Sequence, residues 1–208
     1  TVASGAALEL SGGITIGAEA LTLNNDGIST GGALRNISGD NTYQGAITLS
    51  TNATRINSDS GTLTLSGTLT NSTFGLTVGG SGNTTISGVI GSGAGTLTKD
   101  GSGTLTLSGA NAYTGLTTIS AGVLRASNNT ALGTTAGGVT VASGAALELS
   151  DGITIGAEAL TLSNDGITSG GALRNISGDN TYQGAITLST NAVRINSDSG
   201  TLTLDVAS

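Results

Sequence analysis

The chain has no cysteine, so no disulfide holds it together and its fold is independent of redox compartment. It has no histidine either, so the usual nucleophile–base pairs of hydrolytic enzymes are unavailable. One lysine (Lys99) and five arginines stand against 13 acidic residues, for a net charge of −7. No basic patch is present to neutralise nucleic-acid phosphates or an anionic membrane surface. The sparse acidic surplus reads as a solubility feature. Tryptophan, methionine and proline are absent, and the aromatic residues are Phe74 and three tyrosines. That excludes an ordinary globular core built on large side chains; the interior must be thin and closely packed. No apolar run approaches the ~20 residues of a membrane span. No signal-peptide pattern is present, and Thr1 is not an initiator methionine.

What fills the chain instead is glycine, 36 residues of it, with serine, asparagine and threonine around short aliphatic runs. Disorder predicts low hydrophobicity and few β-branched residues, whereas this chain is 36% hydrophobic and rich in Val, Ile, Leu and Thr. The frame Ser108-Gly109-Ala110-Asn111-Ala112-Tyr113-Thr114-Gly115 returns around Tyr43 and Tyr182, and each tyrosine is followed twelve residues later by an arginine: Arg55, Arg125 and Arg194. Residues 1–65 and 140–204 align at a constant offset of 139 and differ at five positions: Gly12/Asp151, Asn24/Ser163, Ser29/Thr168, Thr30/Ser169 and Thr54/Val193. A middle unit keeps the landmarks, with Gly75-Leu76-Thr77-Val78-Gly79 matching Gly13-Ile14-Thr15-Ile16-Gly17 and Gly152-Ile153-Thr154-Ile155-Gly156. Fixed periods of this kind mark a repeat architecture. The expected division is three units of ~70 residues within one solenoid, 1–65, 66–139 and 140–208, beginning inside a repeat of a longer protein.

Runs such as 62–65 and 104–107 (TLTL) alternate with the period of two that a half-buried strand needs. Clusters such as Asn24-Asn25-Asp26-Gly27 separate them with turn chemistry. Two all-β folds compete. Asp100-Gly101 suits a type I′ hairpin of an antiparallel β-sandwich. The long period and small aliphatic core favour a parallel β-helix, in which like residues stack coil on coil. Three coils to a unit makes about nine coils and a rod on the order of 40 Å long, wound right-handed as parallel crossovers are. Ile14, Leu76 and Ile153 are expected to point inward, and Thr15, Thr77 and Thr154 outward.

Residues 97–133 resemble the autotransporter-associated β-strand repeat, also called the passenger-associated transport repeat. The resemblance is carried by Leu97-Thr98-Lys99, Gly101, Gly103-Thr104-Leu105-Thr106-Leu107-Ser108-Gly109, Asn111, Tyr113-Thr114-Gly115, Thr117-Thr118-Ile119, Ala121-Gly122, Leu124 and Ala131-Leu132-Gly133. The flanking units keep its centre. The resemblance implies a right-handed β-helix in the secreted passenger of an outer-membrane autotransporter or adhesin. It further implies an extracellular location at the bacterial cell surface, attached to the outer membrane in the parent protein.

The carboxylates invite comparison with β-helical polysaccharide lyases, but nearly every acid recurs with the repeat, whereas a catalytic site needs one asymmetric cluster. Gly79-Gly80-Ser81-Gly82-Asn83-Thr84 starts like a calcium nonapeptide, yet Thr84 stands where Asp is needed. Gly101-Ser102-Gly103 and Gly93-Ala94-Gly95 do not complete a phosphate-binding loop. No residue is assigned a catalytic, cofactor-binding or metal-ligating role, and no cofactor is expected. The tyrosines with their arginines suit either a sugar-binding stripe or packing pairs that fix the register of each unit, and the second reading is preferred. Threonine pairs at 62/64, 96/98, 104/106 and 201/203 suit the flat ranks by which some ice-binding β-helices present their surface. The expectation is a non-catalytic stalk or spacer, with an ice- or glycan-binding surface as the alternative. Expected partners are neighbouring coils of the parent chain or end-to-end copies, with surface glycans or other cells beyond them. Nucleic acid and membrane insertion are not expected. At least one end should be uncapped, since Asp205-Val206-Ala207-Ser208 offers no cap.

Overall fold

The computed structural model describes residues 1–189 and 192–206. The chain winds through nine coils. Coil 1 holds β1 (Leu8–Ser11), β2 (Thr15–Ile16) and β3 (Leu21–Leu23), and coil 2 holds β4 (Leu34–Ser38), β5 (Asn41–Tyr43) and β6 (Ile47–Leu49). Coil 3 holds β7 (Thr54–Ser58), β8 (Thr62–Leu65) and β9 (Leu69–Thr70). Coils 4 to 6 carry two strands each: β10 (Leu76–Gly79) and β11 (Asn83–Ile86), β12 (Leu97–Lys99) and β13 (Thr104–Leu107), β14 (Thr117–Ile119) and β15 (Gly122–Ala126). Coil 7 holds β16 (Val139–Val141), β17 (Ala145–Leu149) and β18 (Thr154–Ile155). Coil 8 holds β19 (Leu160–Leu162), β20 (Leu173–Asn175) and β21 (Asn180–Tyr182). Coil 9 holds β22 (Ile186–Leu188), β23 (Ile195–Ser197) and β24 (Leu202–Leu204). Among the described residues, helix is confined to two single 3-10 turns, Ile28–Thr30 and Ile167–Ser169.

The first strand of every coil joins one nine-stranded ladder and the second strand joins another. The third side is split into β3-β6-β9 and β18-β21-β24, with isolated bridges at Leu69↔Ile90 and Gly93↔Tyr113 in between. Strand pairing among the described residues is parallel on all three sides. This is the β-solenoid, and the antiparallel sandwich is excluded. Asp100-Gly101 is a coil corner: it passes the chain from β12 on the first ladder to β13 on the second. As the alternation requires, the leucines of β8 and β13 are buried and their threonines half-buried.

Like residues stack coil on coil in places, as Leu105, Leu124, Leu147 and Leu173 do, but the two copies of the duplicated unit do not lie in phase. β1 lies on the first ladder, while its duplicate at 147–150 runs through β17 on the second. β5 lies on the second ladder and its duplicate β21 on the third side. The 139-residue offset thus spans six coils plus one side, so the two copies are rotated by one side about the axis. The physical reason is uneven coil length. One circuit carries the chain from Leu8 to its partner Leu34 and from Leu160 to Ile186, but only from Leu97 to Thr117 in the middle of the rod. The long coils carry the 3-10 turns outside the ladder, and a solenoid tolerates such excursions because each coil touches only its neighbours.

Leu76 and Ile153 point inward as expected, at 1% and 4% exposure, but Ile14 is 42% exposed. It lies in coil 1, and no preceding coil covers its side of the prism among the described residues. Thr15 and Thr154 are exposed and Thr77 half-buried.

Close coil-to-coil approach explains much of the glycine. Gly45, Gly67, Gly88 and Gly109 follow the second-ladder strand of four successive coils. A Cβ on Gly67 would lie 2.1 Å from the Gly45 carbonyl oxygen, and one on Gly88 1.9 Å from that of Gly67. Any side chain at this corner would push the coils apart.

Candidate functional site

No pocket opens among the described residues, and no group of three or more His, Cys, Asp or Glu side chains gathers among them. The organised polar chemistry runs between coils, through residues 97–126 and through the corners of both outer copies.

β12 begins with Leu97 inward and Thr98 outward, so alternation turns Lys99 inward at the corner, where it is 2% exposed. Its neighbours in the ladder are Val78 above and Ile119 below. The ammonium is held by three carbonyl oxygens, of Asp100 at 2.6 Å, Gly101 at 2.9 Å and Ala121 at 3.1 Å. Burial pushes the Lys99 pKa down to about 8, with the Asp100 charge opposing the shift and Arg55 adding to it. The ammonium thus joins the 100–101 corner of coil 5 to Ala121 in coil 6.

The repeated frame around each tyrosine does its work through asparagine. Asn111 is buried; its Oδ1 accepts the Ile90 N–H at 2.8 Å and its Nδ2 donates to the Ala131 carbonyl at 2.7 Å, so it joins coils 4, 5 and 6. Asn41 and Asn180 accept the N–H of Ile14 and of Ile153, each at 2.7 Å. Each of these two also donates to a second buried asparagine, Asn36 or Asn175. Those in turn donate to corner carbonyls, Asn36 to Ser60 O at 2.8 Å and Asn175 to Ser199 O at 2.7 Å. Corner backbone groups face inward where strands end, and a buried amide satisfies them.

The tyrosines are core residues, at 2% exposure or less, so no aromatic stripe faces solvent. Nor do they pair with the arginines twelve residues on. The Tyr43 hydroxyl donates to Glu19 O at 2.7 Å, and the Tyr113 hydroxyl shares a hydrogen bond with Thr117 Oγ1 at 2.8 Å. Burial raises the pKa of all three phenols, and for Tyr113 and Tyr182 the nearby Glu158 charge adds to it. Twelve residues carry the chain to another side of the prism, where Arg55 and Arg125 meet carboxylates of other coils instead.

Arg35 bridges Glu9 at 3.3 Å and Asp59 at 2.6 Å, joining coils 1, 2 and 3. Its duplicate Arg174 bridges Glu148 at 3.0 Å and also Asp198. Arg125 reaches the same Glu148 at 2.8 Å. Arg55 reaches Asp100 with both terminal nitrogens at 2.8 Å, from coil 3 across coil 4 to coil 5. Gly79 makes that span possible, since a Cβ there would lie 2.0 Å from Asp100 Oδ1 and 2.3 Å from Arg55 Nη2.

A threonine file runs down the first ladder: Thr77, Thr98, Thr118, Thr140, Thr161 and Thr187 are successive partners. It consists of one threonine per coil, each a full circuit from the last, so T-x-T spacing within a strand does not reveal it. The asparagine brackets were equally missed. Their signal was the Asn in the Ser-Gly-x-Asn-x-Tyr frame, which recurs as strictly as the tyrosine.

Residues 97–126 match the model of the passenger-associated-transport-repeat family. The match opens on the first residue of β12 and closes on the last of β15, so the passenger-transport repeat covers one coil and the first two sides of the next. The Lys99 cage and the Asn111 bracket both begin inside it. This repeat points to autotransporter passenger domains. Among curated proteins and among solved structures, nothing matches the chain.

Proposed function

We propose that this chain is a structural stalk or spacer segment of a secreted, surface-displayed passenger of the autotransporter type. The supporting observation is that the passenger-transport repeat sits in the middle of an unbroken nine-coil ladder, bracketed by bonds that run from coil to coil. Its mechanism is geometric. Each coil offers backbone donors and acceptors to the next and buries a narrow aliphatic column, so length grows by adding coils. The whole protein is held outside the cell by a membrane anchor, and the segment sets the distance between that anchor and whatever lies beyond. Partners in this reading are adjoining coils, with surface glycans or other cells reached by the displayed end. The test is display of the chain between a secretion signal and an outer-membrane barrel, with a reporter at its tip. Removing whole coils should shorten the reporter's height above the membrane and leave display intact. Height that does not follow coil number would sink the stalk reading.

A second reading, an ice- or glycan-binding face, is favoured by the six-threonine file. Recrystallisation inhibition and glycan-array binding by the wild type, lost on Thr140→Lys, would establish it.

A further inference from the structure

We infer that the open face of coil 9 is a preformed acceptor for one particular occupant: a chain segment with the sequence pattern of residues 66–100. The argument comes from the duplication inside the molecule. Residues 186–204 repeat residues 47–65 with a single difference, Thr54 to Val193. The first copy of this surface is covered, and the structure shows by what. Leu69 and Thr70 lie on Ile47 and Thr48. Leu76, Thr77, Val78 and Gly79 lie on Thr54, Arg55, Ile56 and Asn57. Asn83 to Ile86 lie on Thr62 to Leu65.

The second copy presents β22, β23 and β24, the counterparts of β6, β7 and β8 with the last two shorter, at the end of the described ladder, with Val193 and Arg194 just ahead of β23. Leu188 is 58% exposed and Leu204 44%, where Leu49 and Leu65 are each 1%. The backbone is prepared as well. In the first copy the Ile47 and Thr54 N–H groups donate to Thr68 O and Gly75 O, at 2.8 and 2.9 Å. The Gly61 and Leu65 carbonyls accept from Asn83 and Ser87, at 2.8 and 3.0 Å. Ile186, Gly200 and Leu204 carry the duplicate groups, the Gly200 carbonyl also accepting from Ser197 Oγ at 3.1 Å, and Val193 stands two residues ahead of β23. The one sequence difference favours docking, since Val193 would meet the counterpart of Leu76 with a second apolar side chain.

Charge complementarity singles out the same occupant. Arg194 duplicates Arg55 and has no carboxylate partner among the described residues. A segment running on to residue 100 brings an aspartate to it across a glycine, as Asp100 reaches Arg55 across Gly79. A second copy stacked by its first coil fits less well, because Glu9 would then face β22, whose outward residue is Thr187. In the interior, the duplicate Glu148 has Arg125 on that side. The recognition is strand addition, in which ladder hydrogen bonds give affinity and side-chain register gives specificity. It does not depend on secretion or display.

The test adds a labelled synthetic peptide of residues 66–100 to the full chain and follows anisotropy and amide exchange. Saturable binding is expected, with new protection confined to Ile186–Leu188, Ile195–Ser197 and Leu202–Leu204. Leu204→Asp in the chain, or Gly79→Val in the peptide, should weaken binding at least tenfold. Arg194→Ala in the chain and Asp100→Asn in the peptide should each weaken it about fivefold, with no further loss when combined, as one shared ion pair requires. Both chain substitutions fall on exposed side chains, so the fold persists as their control. No saturable binding would overturn the inference. So would equal binding of a scrambled peptide, protection at coil 1, or end-to-end self-association that the peptide does not compete away.

Discussion

Residues 1–65 and 140–204 differ at five positions, yet the same side chains live in opposite surroundings. Glu148 has a 5% exposed side chain held between two arginines, whereas Glu9 is 50% exposed and has one. Ile153 and Glu158 are buried, and Ile14 and Glu19 are exposed. Further along, the order reverses: Leu49 and Leu65 are buried while Leu188 and Leu204 are exposed. Among the described residues, the first copy is open at its start and the second at its end. In a one-dimensional array, what a residue contributes is decided by the coil beside it as much as by its own chain. Two copies of one sequence in one molecule make that separable from composition, and the following substitutions exploit it.

The largest difference should come from the shared carboxylate. Glu148→Ala removes a buried carboxylate that two part-exposed arginines share, leaving Arg125 unpaired and Arg174 with Asp198 alone, and should cost about 3 kcal/mol. Glu9→Ala removes a half-exposed pair and should cost under ~1 kcal/mol. Urea unfolding of the two variants, with amide exchange at β17 and β1 to assign the loss, tests the comparison. Equal costs would show that neighbours on both sides do not matter.

Next come the leucines. Leu65→Ala opens a cavity between coils 3 and 4 and should cost about 3 kcal/mol, against less than ~1 kcal/mol for Leu204→Ala. Ile153→Ala and Ile14→Ala should differ in the same direction, with the copies' roles exchanged. An inversion of either pair in thermal melts would contradict the assignment of open ends.

A smaller effect attaches to the long ion pair. Arg55→Ala should cost about 1 kcal/mol, since the pair is bidentate and part-buried, while Arg194→Ala should change unfolding by less than ~0.5 kcal/mol. Gly79→Ala should reproduce most of the Arg55 loss, because its Cβ occupies the path of the pair. If Gly79→Ala is neutral, Arg55 and Asp100 have another way around coil 4.

The fold class was legible because TLTL alternation and a long period survive without knowledge of neighbours. The phase was not. Whether β1 and its duplicate stack depends on summed coil lengths, and the loops around Ile28–Thr30 and Ile167–Ser169 shift that sum without altering any strand motif. Inward-turned Lys99 follows from strand parity in β12, but a lysine beside the turn pair Asp100-Gly101 carries no sign of burial in the sequence. The tyrosine–arginine spacing suggested a pair because the two are near in sequence. On a coil that returns from Leu97 to Thr117, or from Leu8 to Leu34, that spacing is about half a circuit.

The smallest effect is one of pH. Glu158 is 2% exposed and its Oε1 has no hydrogen-bond partner among the described residues. Burial raises its pKa above 4.5, and a hydrogen bond from the Gly138 N–H works in the opposite direction. The folded protein therefore holds a proton that the unfolded chain has already released once pH passes 4.5. Stability falls with pH wherever the native state binds more protons. The contribution is complete below the unfolded pKa and is lost as pH rises through the folded one. Glu158→Gln keeps the shape and removes the titration, so unfolding midpoints followed upward from about pH 4 should lose this downward slope, and the variant should be the more stable at about pH 7. Glu19→Gln makes the same change of residue at the exposed duplicate. A slope that survives Glu158→Gln would mean that another group carries it, and that the coil preceding the second copy does not alter this carboxylate as its burial implies.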